Sequence, residues 1–272
     1  MGQGWDDETQ PYFIGARKFP GHSHPLRLSI IFINYRRIPF TMPMKIMMVE
    51  GRYTGKIDLS GLHPEALPQK LGLISTVQFI DQIPLIQSAL EKAGKQVFVD
   101  KMRQKYDTQL LGCDQGAAIK NKDQVDAYLY FGTGVFHPLG VVIATEKDVH
   151  CYDPLSGIQT IIPKEKGMKM NQKRKAAYTA FLHAQKLGVL VSIKPGQNHF
   201  KRAMALKNQL SDKEVYIFVS DTIDFSQLEN FPFIDCWVNT ACNRIMDDAE
   251  KFPKPLVDLA DIEKADLITL KI

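Results

Sequence analysis

The chain has 272 residues, of which 44% are hydrophobic and 24% charged, and its formal net charge is +4. This is an ordinary globular composition with room for about two domains, and the charge is too small to indicate a nucleic-acid partner. Four cysteines are too few for a disulfide scaffold, and the acidic, polar start MGQGWDDETQ does not resemble a signal peptide. The longest apolar run near the start, LSIIFINY, is far too short to cross a membrane. We therefore expect a reducing, cytoplasmic setting without membrane contact.

From residue 68 onward, short apolar runs alternate with longer amphipathic ones. Strands are predicted over 71–76, 96–100, 126–132, 140–145, 149–153, 189–194, 215–220 and 235–240, and helices over 79–95, 171–188, 198–211 and 224–231. This alternation predicts an α/β fold of parallel sheets covered by helices, in two similar units that divide near 163–170. The first 66 residues contain two segments with strand character, SIIFINY and MKIMMVEG, but prolines and the lack of helices leave no complete α/β unit there.

A basic segment, KEKGMKMNQKRK, occupies residues 164–175. Charge runs are usually a solvated face, here at the start of a helix. The functional alternative is a docking surface for an acidic or RNA-bearing partner.

Four segments follow predicted strands, at the sheet edge where open parallel sheets bind ligands. They are LYFGTGVFHPLG with Gly132, Gly134 and His137, SIKPGQ with Lys194, Gly196 and Gln197, VNTACN with Cys242, and QLLGCDQGAA with Cys113. Glycine lets a backbone approach a ligand closely, and the first N–H groups of a helix can hold an anion. Each signal alone is weak, because a lone cysteine is more often a small buried residue than a ligand. Together they indicate a binding site at one sheet edge.

Six segments, LGLISTVQF, LLGCD, DAYLYFGTGVFHPLG, YDP, KPGQ and VNTACNRIMDD, resemble in order and spacing the diphthamide synthase family, the 3-amino-3-carboxypropyl transferases of diphthamide biosynthesis. The resemblance covers about residues 45–260 and is closer to the archaeal, homodimeric type. It implies three homologous α/β domains packed around a shared [4Fe–4S] cluster, to which each domain contributes one cysteine. S-adenosylmethionine would then bind the iron that lacks a protein ligand. Radical chemistry would transfer its 3-amino-3-carboxypropyl group to a histidine of elongation factor 2.

The resemblance implies roles for eight residues. The cluster ligands of the second and third domains would be Cys113 and Cys242, and the residues near S-adenosylmethionine would be Gly132, Gly134, His137, Lys194, Gly196 and Gln197. The remaining cysteines, Cys151 and Cys236, match no ligand position and lie within predicted strands, so we interpret them as structural.

The chain departs from the family pattern in its first 66 residues. The Gly-Ala-Cys-Asp type motif of the first domain is absent, and only FPGHSH and MKIMMVEGRY resemble its later part. We therefore predict a remnant of the first domain over residues 1–66, a second domain over 67–165 and a third over 166–272. The sequence thus supplies two of three thiolates, which indicates a truncated or misassigned gene start, a second polypeptide, or a member that does not act alone.

Two other functions remain open at this stage. The chain could be a non-catalytic partner subunit, in a homodimer or in a heteromer with a homologous subunit. It could also be a zinc protein that uses Cys113, Cys242 and a histidine, although no local pair has the spacing typical of zinc ligands.

Overall fold

The computed structural model describes residues 30–32 and 49–265, and the first of these segments is strand β1 (Ile30–Phe32). The described residues form two compact units. We call residues 49–177 the N-terminal unit, and residues 178–265 together with β1 the C-terminal unit. Most of the predicted first-domain remnant lies outside the described residues, and the predicted domain bounds remain predictions. In the described part of the chain, every helix is too short or too polar to cross a membrane.

The N-terminal unit is built on one five-stranded sheet. Its strands are β2 (Lys70–Ser75), β3 (Gln96–Phe98), β4 (Ala127–Phe131), β5 (Val149–Asp153) and β6 (Ile158–Ile162). The spatial order is β3-β2-β4-β5-β6, and only the β5–β6 pair is antiparallel. Its helices are α1 (Ile83–Lys92), α2 (Gly116–Asn121), α3 (Phe136–Thr145) and the first part of α4 (Lys164–His183), with 3₁₀ segments at Pro64–Ala66 and Val77–Gln82.

Alternate side chains of the interior strand β2 enter two separate core clusters. Leu71 and Leu73 pack in the cluster that contains Ile86 of α1, whereas Ile74 packs in the cluster that contains Val141 of α3. This period of two is the side-chain alternation of a strand. Because helices cover both faces, β2 and β4 are almost continuously apolar, as is typical of parallel strands.

The C-terminal unit also has a five-stranded sheet. Its strands after β1 are β7 (Lys186–Ser192), β8 (Glu214–Ser220), β9 (Cys236–Asn239) and β10 (Leu256–Asp258). The order is β1-β8-β7-β9-β10, with every pair parallel. Its helices are the last part of α4, α5 (Phe200–Gln209) and α6 (Leu259–Lys264), with 3₁₀ segments at Phe225–Asn230 and Asn243–Lys251.

These elements confirm the predicted α/β fold with parallel sheets, but one predicted strand is wrong. Residues 140–145 belong to α3, because Pro138, Gly140 and the two following valines form the buried face of a helix. The helix predicted over 171–188 begins earlier, at Lys164, and ends at His183, so the basic segment forms its first turns. Of the predicted strand 44–51, only 49–51 are described, and they belong to no strand.

The two units share a local motif that the sequence analysis missed. The same four residues, QKLG, lie at the start of β2 and of β7, at residues 69–72 and 185–188. In the sheet register Gly72 lies beside Tyr128 and Gly188 beside Trp237. A Cβ atom would come within 2.5 Å of the Tyr128 ring at the first glycine and within 2.3 Å of the Trp237 ring at the second. Glycine at these two places leaves room for a large aromatic ring from the neighbouring strand.

Candidate functional site

Cys113 lies in a tight turn on the connection between β3 and α2. Backbone hydrogen bonds run in both directions between Leu111 and Asp114, at 3.0 and 3.1 Å. The Gln115 side chain donates to the carbonyl oxygens of Leu111 and Gly112, at 3.0 and 3.1 Å. The Cys113 residue is exposed. The exposed Cys113 therefore lies on a turn whose carbonyl groups are bonded by the buried side-chain amide of Gln115.

The segment before this turn is tied to the carboxyl end of β2. The carbonyl oxygen of Thr108 accepts from the Ser75 amide at 3.0 Å, and the Ser75 carbonyl accepts from the Leu110 amide at 2.8 Å. Thr108 is buried and has φ 63°, a left-handed conformation that is uncommon for a β-branched residue. Its neighbours must hold this conformation in place. The predicted position of Cys113 near the carboxyl edge of the sheet is thus observed.

The glycine loop, residues 132–137, follows β4 directly. A Cβ on Gly132 would come within 2.7 Å of the Tyr130 hydroxyl, and Gly134 has φ 72°. Burial raises the pKa of Tyr130, whose hydroxyl donates to the Thr133 carbonyl at 3.2 Å. The half-buried His137 ring stacks on Tyr130, with centroids 6.4 Å apart. The loop is therefore folded back on the Tyr130 ring of its own strand.

The Cys113 turn and the glycine loop meet at Phe136. A Cβ added to Gly112 would lie 2.5 Å from Cε1 of that ring, so the ring rests against the turn. Phe136 and Val135 are 49% and 65% exposed, and Leu111 is 40% exposed. The N-terminal unit thus brings Cys113 together with the loop that holds three of the predicted binding residues, among exposed apolar side chains.

In the C-terminal unit, Lys194, Gly196 and Gln197 occupy the turn between β7 and α5. The Gln197 amide donates to the Lys194 carbonyl at 3.0 Å, and Gly196 has φ 77°. The Lys194 amide donates to Ser192 Oγ at 3.2 Å, which holds the start of the turn to the end of β7. Both Lys194 and Gly196 are exposed.

His199 immediately precedes α5. Burial, followed by the nearby Arg202, lowers the pKa of its imidazole. A neutral ring therefore stands at the start of this helix at neutral pH.

Cys242 follows β9, the strand beside β7, and is half-buried. Thr240 donates to the Leu190 carbonyl from both its amide and its hydroxyl, at 3.1 and 2.7 Å. The Cys242 carbonyl accepts from the Ile245 amide at 3.0 Å and from Asn239 Nδ2 at 2.9 Å. Cys242 and the Lys194 turn therefore leave the same edge of the sheet from adjacent strands.

The other two cysteines are buried in strands, as predicted. Cys151 is 7% exposed in β5, and Cys236 is fully buried in β9. Burial raises the pKa of each thiol to about 12. Since metal ligation requires the thiolate, these two residues are poor ligands.

The structure leaves the roles of the eight predicted site residues as predictions and adds residues that the sequence analysis missed. Gln115 and Phe136 support the Cys113 turn, and Asn239 with Asp258 supports the segment that carries Cys242. In the sequence, Asn239 is marked only by its position as a polar residue near the end of the predicted strand 235–240. Across residues 30–32 and 49–265, no three His, Cys, Asp or Glu side chains form a group that could hold a metal ion.

Comparisons of this chain with known proteins all identify the same family. The family model described as "Putative diphthamide synthesis protein" matches residues 37–266. The 2-(3-amino-3-carboxypropyl)histidine synthase of Pyrococcus horikoshii is 29% identical over 252 residues, which are 89% of this chain and 68% of the relative. Subunit 1 of the Schizosaccharomyces pombe enzyme of that name is 30% identical over 201 residues, covering 69% of this chain and 45% of the relative.

Solved structures agree with this result. The crystal structure of Dph2 from Pyrococcus horikoshii with a 4Fe–4S cluster matches with a TM-score of 0.57 at 29% identity. The match covers 74% of this chain and 58% of that one. The chain therefore spans little more than half of the solved relative.

Proposed function

Because this chain belongs to the diphthamide synthesis protein family, we propose that it acts in the first step of diphthamide biosynthesis, in the cytoplasm. The proposed reaction transfers the 3-amino-3-carboxypropyl group of S-adenosylmethionine to a histidine of elongation factor 2. One observation carries the proposal. Each unit buries one of the four cysteines in a strand and carries the other in a loop beyond its parallel strands, where Cys113 is exposed and Cys242 is half-buried. We call Cys113 and Cys242 the accessible pair.

We propose that these two thiolates ligate a [4Fe–4S] cluster. Cysteine thiolates are the usual ligands of such clusters, so the chemistry of the two accessible side chains fits. The Pyrococcus relative holds a cluster of this type. When bound, the cluster supplies the electron that cleaves the Cγ–S bond of S-adenosylmethionine. Two of the four cysteines in the given sequence are buried, so any ligation beyond Cys113 and Cys242 would come from a group other than these four thiols.

The remaining predicted residues are proposed to bind S-adenosylmethionine. Lys194 offers an exposed cation, and the following turn leads into the start of α5, where amide groups favour a carboxylate. Near Cys113, Gly132 and Gly134 leave the backbone open to close approach, and His137 is held beside them by Tyr130. In this proposal these groups orient the substrate, while the two thiolates hold the iron.

Anaerobic reconstitution of the full chain with iron and sulfide tests this function. We expect the visible absorbance of an iron–sulfur cluster, and release of methylthioadenosine after addition of dithionite and S-adenosylmethionine. A folded protein that takes up no iron would contradict the proposal. Stoichiometric zinc in its place would instead support a zinc site.

A second candidate is a non-catalytic partner subunit. The burial of Cys151 and Cys236 favours it, because only two thiols remain for a cluster. Several relatives are themselves named as subunits. In this case methylthioadenosine release would be absent from the chain alone and would appear on mixing with a homologous subunit. Activity of the isolated chain equal to that of the mixture would exclude this role.

A further inference from the structure

The side chain of Asn239 holds the backbone that carries Cys242. Asn239 is the last residue of β9 and is fully buried. Its Oδ1 accepts from the Ala241 amide at 3.1 Å, and its Nδ2 donates to the Cys242 carbonyl at 2.9 Å. One side chain therefore bonds to two successive residues of the loop, one through its acceptor and one through its donor.

Asp258 bonds to the same side-chain amide. It is paired with Asn239 in the register of β10 against β9, and it is 6% exposed. Its Oδ2 accepts from Asn239 Nδ2 at 2.7 Å, while its Oδ1 accepts from the Ala260 amide at 2.9 Å. The Ala241 amide can only donate and the Cys242 carbonyl can only accept, so Oδ1 points toward Ala241, and Nδ2 points toward Cys242 and Asp258. The two side chains thus form an oriented chain of bonds from α6 to the cysteine loop.

We propose that Asn239 is the positioning residue for Cys242, which it holds ready for iron through this oriented amide. The inference rests on the proposed function, which assigns Cys242 as an iron ligand. Residues that orient a metal ligand from behind are a general requirement of metal sites, because a loosely held ligand loses affinity. Here the orientation acts through the ligand's backbone, since the amide grips the carbonyl of the cysteine itself.

Replacing Asn239 with aspartate isolates this role, because the shape is kept and the donor is lost. In Asn239→Asp, a carboxylate oxygen would face both Asp258 Oδ2 and the Cys242 carbonyl, and each is an acceptor. Two buried carboxyl groups this close share one proton, which is held between them, so no donor remains for the Cys242 carbonyl. We expect the loop to open more often while β9 keeps its place in the sheet.

The experiment compares alkylation rates of the cysteines in the metal-free full chain, peptide by peptide, by mass spectrometry. In Asn239→Asp, Cys242 should be alkylated about tenfold faster than in the unaltered chain, as expected for the loss of a hydrogen bond that holds a loop closed. Cys113, in the other unit, should react at its original rate. Cys236, three residues before Asn239 and fully buried, should stay protected and so report that the strand is intact.

A matched control is Asn230→Asp. Asn230 is an exposed residue of the same unit whose Nδ2 donates to the Gln227 carbonyl. The same chemical change there should leave the Cys242 rate unchanged. An unchanged Cys242 rate in Asn239→Asp, with Cys236 protected, would overturn the proposal.

Hydrogen exchange in the unaltered chain keeps the proposal testable if Asn239→Asp does not fold. The Ala241 amide lies outside any strand, so Asn239 Oδ1 must account for its protection. Exchange of this amide at the rate of an unfolded peptide would overturn the proposal.

Iron content after reconstitution then separates the two claims. Uptake by the unaltered chain with a loss in Asn239→Asp supports both claims. If the unaltered chain takes up no iron, the proposed function fails, while the alkylation result still decides whether Asn239 holds the Cys242 loop.

Discussion

The two units use the same sheet frame but carry their accessible cysteines on different connections. Apart from β1 and β6, each unit has four strands in chain order, β2 to β5 and β7 to β10. In both units the second, first, third and fourth of these strands lie side by side in that order, and all are parallel. Each first strand begins with QKLG, and each glycine accommodates an aromatic ring from the third strand. Yet Cys113 follows the second strand of its unit, whereas Cys242 follows the third.

The contacts that hold the strands together are alike in the two units, whereas the loops that carry the candidate site residues differ. The frame repeats down to single contacts. Asp126 and Asp235 precede corresponding strands, and each accepts from the amide of the lysine that opens the first strand, at 3.1 and 2.8 Å. The loops beyond the strands do not repeat. A shared scaffold with divergent loops is the usual way in which a fold acquires a site.

Removal of either accessible thiol should have the largest effect. If both units supply an iron ligand, Cys113→Ser and Cys242→Ser should each lower bound iron by at least about tenfold, since loss of even an outer partner of a metal ligand costs that much. Iron and sulfide analysis after anaerobic reconstitution measures this. Cys151→Ala and Cys236→Ala are the matched controls and should keep their iron. If only one of the serine variants loses iron, the two units do not contribute alike.

At neutral pH, the paired glycines give the next largest effect. Gly72→Ala and Gly188→Ala each force a methyl group into a buried aromatic ring, so each should lower the free energy of unfolding by about 1–3 kcal/mol. Denaturant unfolding measures the change. Gly51→Ala is the control, because a Cβ there would meet nothing within 4 Å. Strongly unequal losses would show that the two frames are not equivalent.

The buried thiols of Cys151 and Cys236, one in each unit, should make the free energy of unfolding depend on pH in the same way. Burial raises the pKa of Cys151 and Cys236 from 9.0 to about 12. Below pH 9.0 their contribution to stability is fully present. Between these values the unfolded chain ionises while the folded one does not, so the free energy of unfolding should fall by about 1.4 kcal/mol per pH unit for each thiol.

Denaturant unfolding under reducing conditions at a series of alkaline pH values tests this dependence. Cys151→Ala and Cys236→Ala should each flatten the fall by the share of one thiol. A slope that neither variant changes would contradict the assignment.

The smallest effect concerns the two aspartates before the third strands. Asp235 accepts from two amides, those of Gln185 and Lys186, whereas Asp126 accepts from one amide, that of Lys70. Asp235→Ala should therefore cost about 1 kcal/mol of unfolding free energy and Asp126→Ala about half of that, because both carboxylates are exposed. Thermal unfolding of the two variants side by side resolves the difference. A larger loss from Asp126→Ala would reverse the expected ranking.

Much of the frame is readable from the sequence, because doubly covered parallel strands are continuous apolar runs. The strands β4 and β8 were predicted within one residue at each end. The same signal fails at 140–145, where a β-branched run lies against the sheet as a helix. The strand propensity of these residues is outweighed there by the burial of one helical face, from Pro138 to Val142. The antiparallel β6 and the short α2 left no pattern strong enough to predict.

The candidate site is readable only in part. Glycines after strands locate the loops of Gly132 and Gly196, since turns there require what glycine permits. The bond between Asn239 and Asp258 joins residues 19 apart and depends on the register of β9 against β10. The resting place of Phe136 on the Cys113 turn likewise arises from packing between distant segments. No local pattern encodes either contact.

The ring of Phe136 also couples the glycine loop to the Cys113 turn. It belongs to the glycine loop yet lies against the residue before Cys113, so displacement of one disturbs the other. Thermodynamic linkage is reciprocal. If Cys113 binds iron as proposed, an occupant of the loop that shifts this ring would change the affinity for iron by the same factor by which iron changes the affinity for that occupant.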